Sequence, residues 1–288
     1  MASGAALEAT PSIDLNSDLG ETWNGEPTAD DEAMFAVVSS ASIACGFHAG
    51  DEPSMRASVE RASRLGVAVG AHPSYADREG FGRRDRNPEP GVLRTQIAQQ
   101  LDALAAAGAD IRYVKPHGAL YNRIAVDPVQ ARAVAEAIAG FARAAGRPLP
   151  VLGLGGALAE AAHDAGLPFV REAFLDRAYT AGGALVPRSR AGAVLHSVEV
   201  VTARALRLVR EGVIESIDGA LVEADAASLC VHGDTAEAVA MARAVRAALE
   251  GEGVAIRAPW RASASRGFGA EPHREARVSK PEVWGGAP

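Results

Sequence analysis

Short apolar runs rich in β-branched residues alternate with longer, alanine-rich stretches of helical period along most of this chain. Such alternation is typical of βα units, in which helices cover a parallel sheet. The predicted strands cover residues 12–18, 41–47, 67–71, 110–115, 149–153, 168–172, 227–232 and 253–257. The predicted helices cover residues 53–65, 91–107, 128–145, 156–165, 197–211 and 235–250. We therefore expect an α/β fold, an irregular TIM-like (β/α) barrel of seven to eight mostly parallel strands.

No linker or change of composition interrupts this pattern before about residue 258. One catalytic barrel domain over residues 12–257 is therefore expected, and 288 residues is a common length for a single barrel. Residues 1–11 lack the basic start and apolar run of a signal peptide, so we interpret them as an N-terminal tail. Residues 258–288 are rich in Gly, Pro, Ala and Arg without periodicity, which predicts a C-terminal tail, extended or docked on the surface.

The charge and the cysteines of the chain restrict its possible partners and its location. A net charge of −7 without a block of like charge argues against a nucleic-acid partner. No run approaches the roughly 20 apolar residues of a membrane span. Cys45 and Cys230 are far apart and form no CxxC motif, which favours a reducing, cytoplasmic location. A homo-oligomer is compatible with the sequence, but no residue pattern argues for it.

Four of the seven histidines follow or close a predicted strand, each beside a glycine, a proline or a short polar turn. These are His48, His72, His117 and His232. In parallel α/β folds, ligands bind at the C-terminal ends of the strands. A single histidine of this kind is more often a core or capping residue, but four in equivalent places favour a shared site.

The first predicted strand carries polar groups on one side. Because side chains alternate along a strand, Asp14, Asn16 and Asp18 share a face, and Glu21 follows just beyond the strand end. Two carboxylates on a buried strand need cations, donors or a metal as partners. An exposed edge strand is the alternative, although it is rare in parallel sheets.

Carboxylates and histidines together can bind a divalent metal that activates water. No HxH or HExxH spacing exists in the chain, so such a site would be assembled only in space. His48, His72 and His117 are the candidate ligands. Direct acid–base catalysis, in which an Asp takes a proton from water and a His returns one to the leaving group, is the alternative.

Several cationic residues are further candidates. Lys115 is one of only two lysines, and a buried ammonium is a compact charge that arginine does not imitate. The stretch 171–190 reads as one loop, with Arg171, Glu172, Asp176, Arg177, Tyr179, Arg188 and Arg190. Its arginines could grip a substrate carboxylate in bidentate fashion, or form salt bridges in a solvated loop. Asp51 and Asp234 precede predicted helices, and for Asp234 we expect a helix-capping role.

The chain has no phosphate-cradling P-loop. That motif requires Gly-Lys-Ser/Thr, and both lysines, Lys115 and Lys280, are followed by proline. If ATP takes part in the reaction, this chain does not bind it through a P-loop.

Six blocks of the sequence resemble the LamB/YcsF family. They are IDLNSDLGE (13–21), SSASIACGFHAGD (39–51), GVAVGAHPSYADREGFGRR (66–84), YVKPHGALYN (113–122), REAFLDRAYTAGGALVPRSR (171–190) and CVHGD (230–234). The resemblance implies a barrel related to the glycoside hydrolase/deacetylase superfamily, with the metal-dependent polysaccharide deacetylases as kin. It also implies ATP-dependent hydrolysis of 5-oxo-L-proline to L-glutamate, as the A subunit of 5-oxoprolinase beside subunits B and C. The missing P-loop agrees with nucleotide use by those partners.

Roles follow from residue type and expected position. Asp14 or Asp18 is the candidate base for water, with Glu21 and His117 as further catalytic candidates. His48, His72 and His117 would bind a metal or stabilise developing negative charge. Lys115 would pair with phosphate or oxyanion. Substrate-binding candidates are Asn16, Arg177, Tyr179 and Arg188.

Two other functions remain open at this point. One is a metal-dependent deacetylase or amidohydrolase that acts alone on a carbohydrate-like amide. The other is a non-catalytic subunit that only holds substrate for its partners.

Overall fold

Seven parallel strands close into a barrel in the computed structural model, which describes residues 10–260. The strands of this part of the chain are β1 (Ser12–Leu19), β2 (Thr22–Trp23), β3 (Glu26–Pro27), β4 (Ser40–Ala44), β5 (Ala68–His72), β6 (Ile111–Val114), β7 (Val151–Gly153), β8 (Phe169–Phe174), β9 (Val213–Glu215), β10 (Leu221–Glu223), β11 (Ser228–Cys230) and β12 (Ala255–Ile256). The helices are α1 (Asp31–Phe35), α2 (Glu52–Leu65), α3 (Pro90–Ala106), α4 (Gly118–Ile124), α5 (Pro128–Ala144), α6 (Ala157–Asp164), α7 (Val198–Glu211) and α8 (Ala238–Gly251).

The barrel closes because β11 pairs with both β8 and β1. Its hydrogen-bonded order is β1-β4-β5-β6-β7-β8-β11, and every pairing in the ring is parallel. The eighth strand, β12, lies beside the start of β1. The predicted TIM-like barrel of seven to eight mostly parallel strands is confirmed. The hairpins β2–β3 and β9–β10 are antiparallel additions that the sequence analysis did not anticipate.

The polar and apolar side chains of β1 lie on opposite faces of the strand, as predicted. Asp14 and Asn16 reach partners on other strands inside the barrel, whereas Leu15 and Leu19 are fully buried in the hydrophobic core. Since β1 lies between β4 and β11, the alternative of an exposed edge strand is wrong. The barrel interior is therefore polar, and its apolar core lies mainly outside the barrel, under the helices.

Two local predictions are corrected by the structure. Helix α8 begins at Ala238, not at residue 235, and Asp234 does not cap it, because its carboxylate pairs with arginines instead. Arg171 and Glu172 belong to β8, so the stretch 171–190 is not one continuous loop. By contrast, Asp51 does cap α2, through a reciprocal capping box with Ser54.

The start of the predicted C-terminal tail packs against the barrel. Ala258 and Trp260 are buried with Tyr113, and the rings of Trp260 and Tyr113 lie 4.6 Å apart. The other parts of the two predicted tails, residues 1–9 and 261–288, lie outside the described residues. No helix within residues 10–260 is long and apolar enough to cross a bilayer.

Candidate active site

A cavity of about 740 Å³ opens where the barrel strands end. Its floor carries ionisable groups from the ends of β1, β5, β6 and β11, and its rim carries arginines. The acidic residues, basic residues and histidines that line it are Asp18, Glu21, His72, Lys115, His117, His232, Arg83, Asp85, Arg123, Arg177, Arg188 and Asp234. Three of the four predicted histidines, His72, His117 and His232, therefore meet at one mouth of the barrel, whereas His48 does not line the cavity.

Three histidines and a glutamate form the histidine cluster: Glu21, His48, His72 and His117. One ligand atom of each lies within 4.8 Å of the others. His48 Nε2 is 3.1 Å from Glu21 Oε1, and His117 Nδ1 is 2.9 Å from His72 Nε2. All four are buried, with at most 8% of a residue exposed. The cluster joins three candidate ligands to Glu21, which the sequence analysis had assigned to catalysis.

Hydrogen bonds on the far sides of two imidazoles fix their tautomers. His72 Nδ1 donates to the carbonyl of Lys115 at 2.7 Å, and His117 Nε2 donates to the carbonyl of Phe81 at 2.9 Å. Carbonyls only accept, so in each neutral ring the opposite nitrogen carries a lone pair. Two lone pairs therefore face each other across the 2.9 Å between His72 and His117.

The third imidazole is fixed in the same way. The Ser74 hydroxyl donates to the Tyr75 carbonyl, so it accepts from His48 Nδ1 at 3.0 Å. The lone pair of His48 Nε2 then points at the carboxylate of Glu21. Burial lowers the pKa of His48 well below its usual value and does the same for His117, so both rings are neutral at neutral pH.

With His72 neutral, four bases therefore converge without a hydrogen to share between them, whereas a proton on His72 Nε2 supplies the positive charge that lowers the pKa of Asp18. A cation resolves this repulsion, and metal-binding histidines usually donate their other ring N–H to a carbonyl or similar acceptor, as here. Three imidazoles and one carboxylate suit a first-row divalent metal such as Zn²⁺. The residues present fit a metal site.

The loop that follows β5 covers this cluster. A Cβ on Gly82 would lie 2.8 Å from His117 Cδ2 and 2.9 Å from the Cβ of His48, and Gly82 has φ of +65°. Only glycine allows so close an approach at this backbone conformation. The adjacent Phe81 carbonyl, which binds His117, is held in place by that approach.

A second group, the lysine network, lies beside the histidine cluster. Lys115 Nζ is 3.0 Å from Asp18 Oδ1 and 3.1 Å from Glu172 Oε2, and it donates to Asn16 Oδ1 at 3.0 Å. The Cys230 sulfur is also 3.0 Å from Nζ. Lys115 is 1% exposed, so its charge depends entirely on these partners.

The charges in this network determine the protonation states of Lys115 and Asp18. Burial alone would lower the pKa of Lys115, but Asp18 and Glu172 outweigh it and raise that pKa well above its usual value. Burial alone would raise the pKa of Asp18, but His72 and Lys115 hold it well below its usual value. The site therefore contains an ammonium and an Asp18 carboxylate at neutral pH.

Asp14, the other predicted base, does not line the cavity. It is fully buried deeper in the barrel, where its carboxylate accepts from Ser39 at 2.7 Å, Ser40 at 2.8 Å and Ser228 at 2.5 Å. Ser228 in turn accepts from Asn16 Nδ2 at 2.7 Å. This chain of bonds turns the Asn16 carbonyl toward Lys115, so Asp14 and Asn16 support the lysine from below.

His232 and Asp176 form a pair beside Asp18. His232 Nδ1 is 2.9 Å from both carboxylate oxygens of Asp176, and the Phe174 ring stacks on the imidazole at 5.2 Å. The other nitrogen, Nε2, is 3.9 Å from Asp18 Oδ2. A histidine oriented by a buried carboxylate and facing a cavity is a typical general acid or base.

The predicted substrate-binding residues separate into two sets. Arg177 and Arg188 line the cavity. Asn16 lies beneath Lys115, and Tyr179 is buried with its hydroxyl accepting from the Phe174 amide at 2.7 Å. Neither of these two lines the cavity.

The structure adds partners that sequence reasoning missed. Arg83 lines the cavity and pairs with Asp234, Glu172 pairs with Lys115, and Asp176 orients His232. Asp176 and Glu172 were named in the stretch 171–190, but their partners come from other strands and carry no sequence signal.

Comparisons with known proteins agree on one family. The model of the LamB/YcsF family matches residues 13–264. The chain is 51% identical over 250 residues to the 5-oxoprolinase A subunit numbered 1 of Agrobacterium fabrum, covering 85% of this chain and 96% of that protein. It is 52% identical over 249 residues to the 5-oxoprolinase A subunit of Streptomyces coelicolor, covering 85% and 98%.

A solved structure shows the same fold. The lactam utilization protein from Thermus thermophilus is 42% identical and superposes with a TM-score of 0.79. The match covers 85% of this chain and 99% of that one.

The lysine network predicts a pH-dependent penalty for Lys115→Met. Removing the ammonium leaves the buried carboxylates of Asp18 and Glu172 without their shared cation, which lowers the free energy of unfolding by about 3–5 kcal/mol at neutral pH. Without Lys115, burial raises the pKa of Asp18 above its unfolded value, so protonation relieves the repulsion. The deficit relative to the wild type therefore shrinks as the pH falls from about 8 to 5.

Urea denaturation at several pH values measures this effect. Arg56→Met is the control, since Arg56 forms an exposed pair with Glu52 and should shift stability by only about 0.5 kcal/mol. A Lys115→Met deficit that is as small as the control, or that does not change with pH, would contradict the assignment.

Proposed function

This chain belongs to the LamB/YcsF family, and we propose that it opens the ring of 5-oxo-L-proline during ATP-dependent conversion to L-glutamate. The observation that carries the proposal is the meeting of Asp18 and the His232–Asp176 pair across one cavity, beside a buried ammonium. A carboxylate and an oriented imidazole are the groups that hydrolysis of an amide needs. The names of the relatives, lactam utilization protein and 5-oxoprolinase A subunit, support it.

The reaction needs ATP because the lactam is chemically unreactive toward water. Amide resonance makes the ring carbon a poor electrophile, and phosphorylation of its oxygen removes that resistance. We assign this phosphorylation to subunits B and C, because the chain has no P-loop. Water then adds to the ring carbon, and the C–N bond breaks with its electron pair going to nitrogen, which gains a proton. A second water converts the resulting acyl phosphate to glutamate and phosphate.

Each floor residue has a place in that step. Asp18 orients the water and accepts its proton. Lys115, 3.0 Å from Asp18, holds that side chain in place and keeps it a carboxylate. His232 acts as an imidazolium: Nδ1–H donates to Asp176, and the Nε2 proton passes to the departing nitrogen. This assignment takes Asp18, not Asp14, as the base.

We propose that the histidine cluster holds a divalent metal through Glu21, His48, His72 and His117. A metal bound there supplies Lewis acidity and lowers the pKa of water. The converging lone pairs of the three imidazoles support this proposal.

The same cluster is compatible with a second function, a metal-dependent deacetylase that acts alone. Glutamate formation that requires both ATP and the partner subunits would exclude it. A non-catalytic binding subunit is less consistent with the site, because binding an anionic lactam gains nothing from Asp18 and Glu21. The cytoplasmic, reducing location stays a prediction that agrees with two free, buried cysteines.

Asp18→Asn tests the proposed function. The amide keeps the shape of the side chain but cannot accept a proton, so glutamate formation by the three-subunit mixture should fall by about 10²–10⁴-fold. Asp102→Asn, an exposed change on α3, is the matched control and should keep full activity. Circular dichroism checks that both variants fold. Wild-type rates in a folded Asp18→Asn protein would remove Asp18 from the mechanism.

Metal analysis tests the histidine cluster separately. Protein purified without chelator or affinity nickel should contain about one first-row divalent metal per chain, since the cluster offers one set of four donors. Glu21→Gln and His72→Ala should lose that metal, whereas His163→Ala, a change at an exposed helix position, should retain it. Metal-free wild-type protein, or equal content in all variants, would contradict the metal site.

A further inference from the structure

The rim of the cavity carries more positive charge than its carboxylates neutralise. We define the rim arginine cluster as Arg83, Arg177, Arg188 and Asp234. Asp234 Oδ2 lies 2.9 Å from Arg83 Nη2 and 3.2 Å from Arg188 Nη1, so one carboxylate serves two guanidinium groups. Three positive charges against one negative leave two positive charges at the rim.

Among the rim arginines, Arg177 is the one whose positive charge is least neutralised by carboxylates. It is only 6% exposed, and both of its hydrogen bonds go to backbone carbonyls, from Nη2 to Val186 at 2.7 Å and from Nε to Ala193 at 3.2 Å. Within residues 10–260, no carboxylate lies within 4.0 Å of its guanidinium. The neighbouring Asp176 is engaged by His232. A nearly buried charge without a counter-ion, in the wall of a cavity, is poised for an anionic ligand.

Another arginine of the same cavity shows the contrast. Arg123 lies 2.9 Å from Asp127 and 3.3 Å from Asp85, so it has two carboxylates to itself. The charge surplus is therefore specific to the rim arginine cluster and is not a general property of the cavity wall.

Lys115 cannot supply this anion site. Its ammonium is enclosed by Asp18, Glu172 and Asn16, all within 3.1 Å, and those two carboxylates already exceed its charge. A doubly charged ligand would be repelled at the floor and attracted at the rim.

We propose that the rim arginine cluster binds a phosphoryl dianion, the one carried on the lactam oxygen of the activated substrate. Two surplus charges match a phosphoryl group better than the single charge of a carboxylate, and guanidinium forks fit its oxygens in bidentate fashion. Asp234 is two residues from His232, so a phosphoryl group held at the rim brings the attached ring carbon to the floor residues. This proposal rests on the proposed function and changes two earlier assignments, because the phosphoryl group no longer pairs with Lys115. Arg177 and Arg188 take the phosphoryl group, not the substrate carboxylate.

The phosphoryl group is not transferred while it is held there. During ring opening the C–N bond breaks and the bond between carbon and the phosphate oxygen stays intact. The rim arginine cluster therefore acts as an anchor, which keeps the reacting carbon beside Asp18 and His232.

Calorimetric titration of the isolated, full-length chain with inorganic phosphate tests the anchor, at constant ionic strength because salt screens such contacts. The wild type should bind phosphate saturably and acetate at least tenfold more weakly. Arg188→Gln and Arg177→Gln should each weaken phosphate binding roughly tenfold or more, the range for a hydrogen bond to a charged group. Arg56→Gln, an exposed change on α2, should bind phosphate as the wild type does.

Asp234→Asn should change the affinity for phosphate in the opposite direction. Removing the one carboxylate raises the surplus from two positive charges to three, so phosphate should bind more tightly than to the wild type. Phosphate affinity that is unchanged or weaker in this variant would contradict the charge argument.

Other outcomes separate this proposal from its premise. Absence of saturable phosphate binding, or equal binding by wild type and both arginine variants, would overturn the anchor while leaving ring opening by Asp18 intact. Tighter, arginine-dependent binding of ADP than of phosphate would identify the ligand as a nucleotide and also overturn it. Phosphate binding as expected, with full glutamate formation by Asp18→Asn, would retain the anion site and reject the proposed function.

Discussion

One buried ammonium group holds the polar interior of this barrel together. Lys115 joins Asp18 on β1, Glu172 on β8 and Asn16 on β1 within 3.1 Å, so a single charge links both sides of the closed sheet. An interior of carboxylates, serines and an amide would be costly to bury without it. Asp14 and Ser228 extend the network downward, and the histidine cluster adjoins it through the 3.3 Å contact of His72 with Asp18.

Two neighbouring groups divide the chemistry of the cavity. The histidine cluster gathers donor atoms that fit a metal, whereas Asp18 and His232 are the groups that we propose to move protons, with Lys115 holding Asp18 in place. Asp18 belongs to both groups because its two carboxylate oxygens face different partners: Oδ1 faces Lys115, and Oδ2 faces His72. The rim arginines lie above both groups, so the positive charge at the mouth and the acid–base groups at the floor suit a substrate with a charged end and a reactive ring.

The sequence predicted the barrel and the meeting of the histidines because both follow from the periodicity of its apolar residues. Alternation in β1 put Asp14, Asn16 and Asp18 on one face, and parallel strands bring their C-terminal ends together. The sequence could not show which of Asp14 and Asp18 reaches the cavity. The depth of a residue in the barrel depends on the register of β1 with β4 and β11. Asp234 was misread because a capping pattern and a salt bridge use the same carboxylate, and only the fold brings Arg83 and Arg188 to it. The hairpins β2–β3 and β9–β10 are too short to carry a periodic signal.

If this chain itself opens the ring, as we propose, the imidazole of His232 is required for glutamate formation. The measurement is glutamate formed by subunits B and C with ATP, 5-oxo-L-proline and either the wild-type chain or His232→Gln. The folded variant should match the wild type in metal content and phosphate binding but yield glutamate at least about 10²-fold more slowly. Wild-type glutamate formation by that variant would exclude His232 as the acid and with it the proposed ring-opening site.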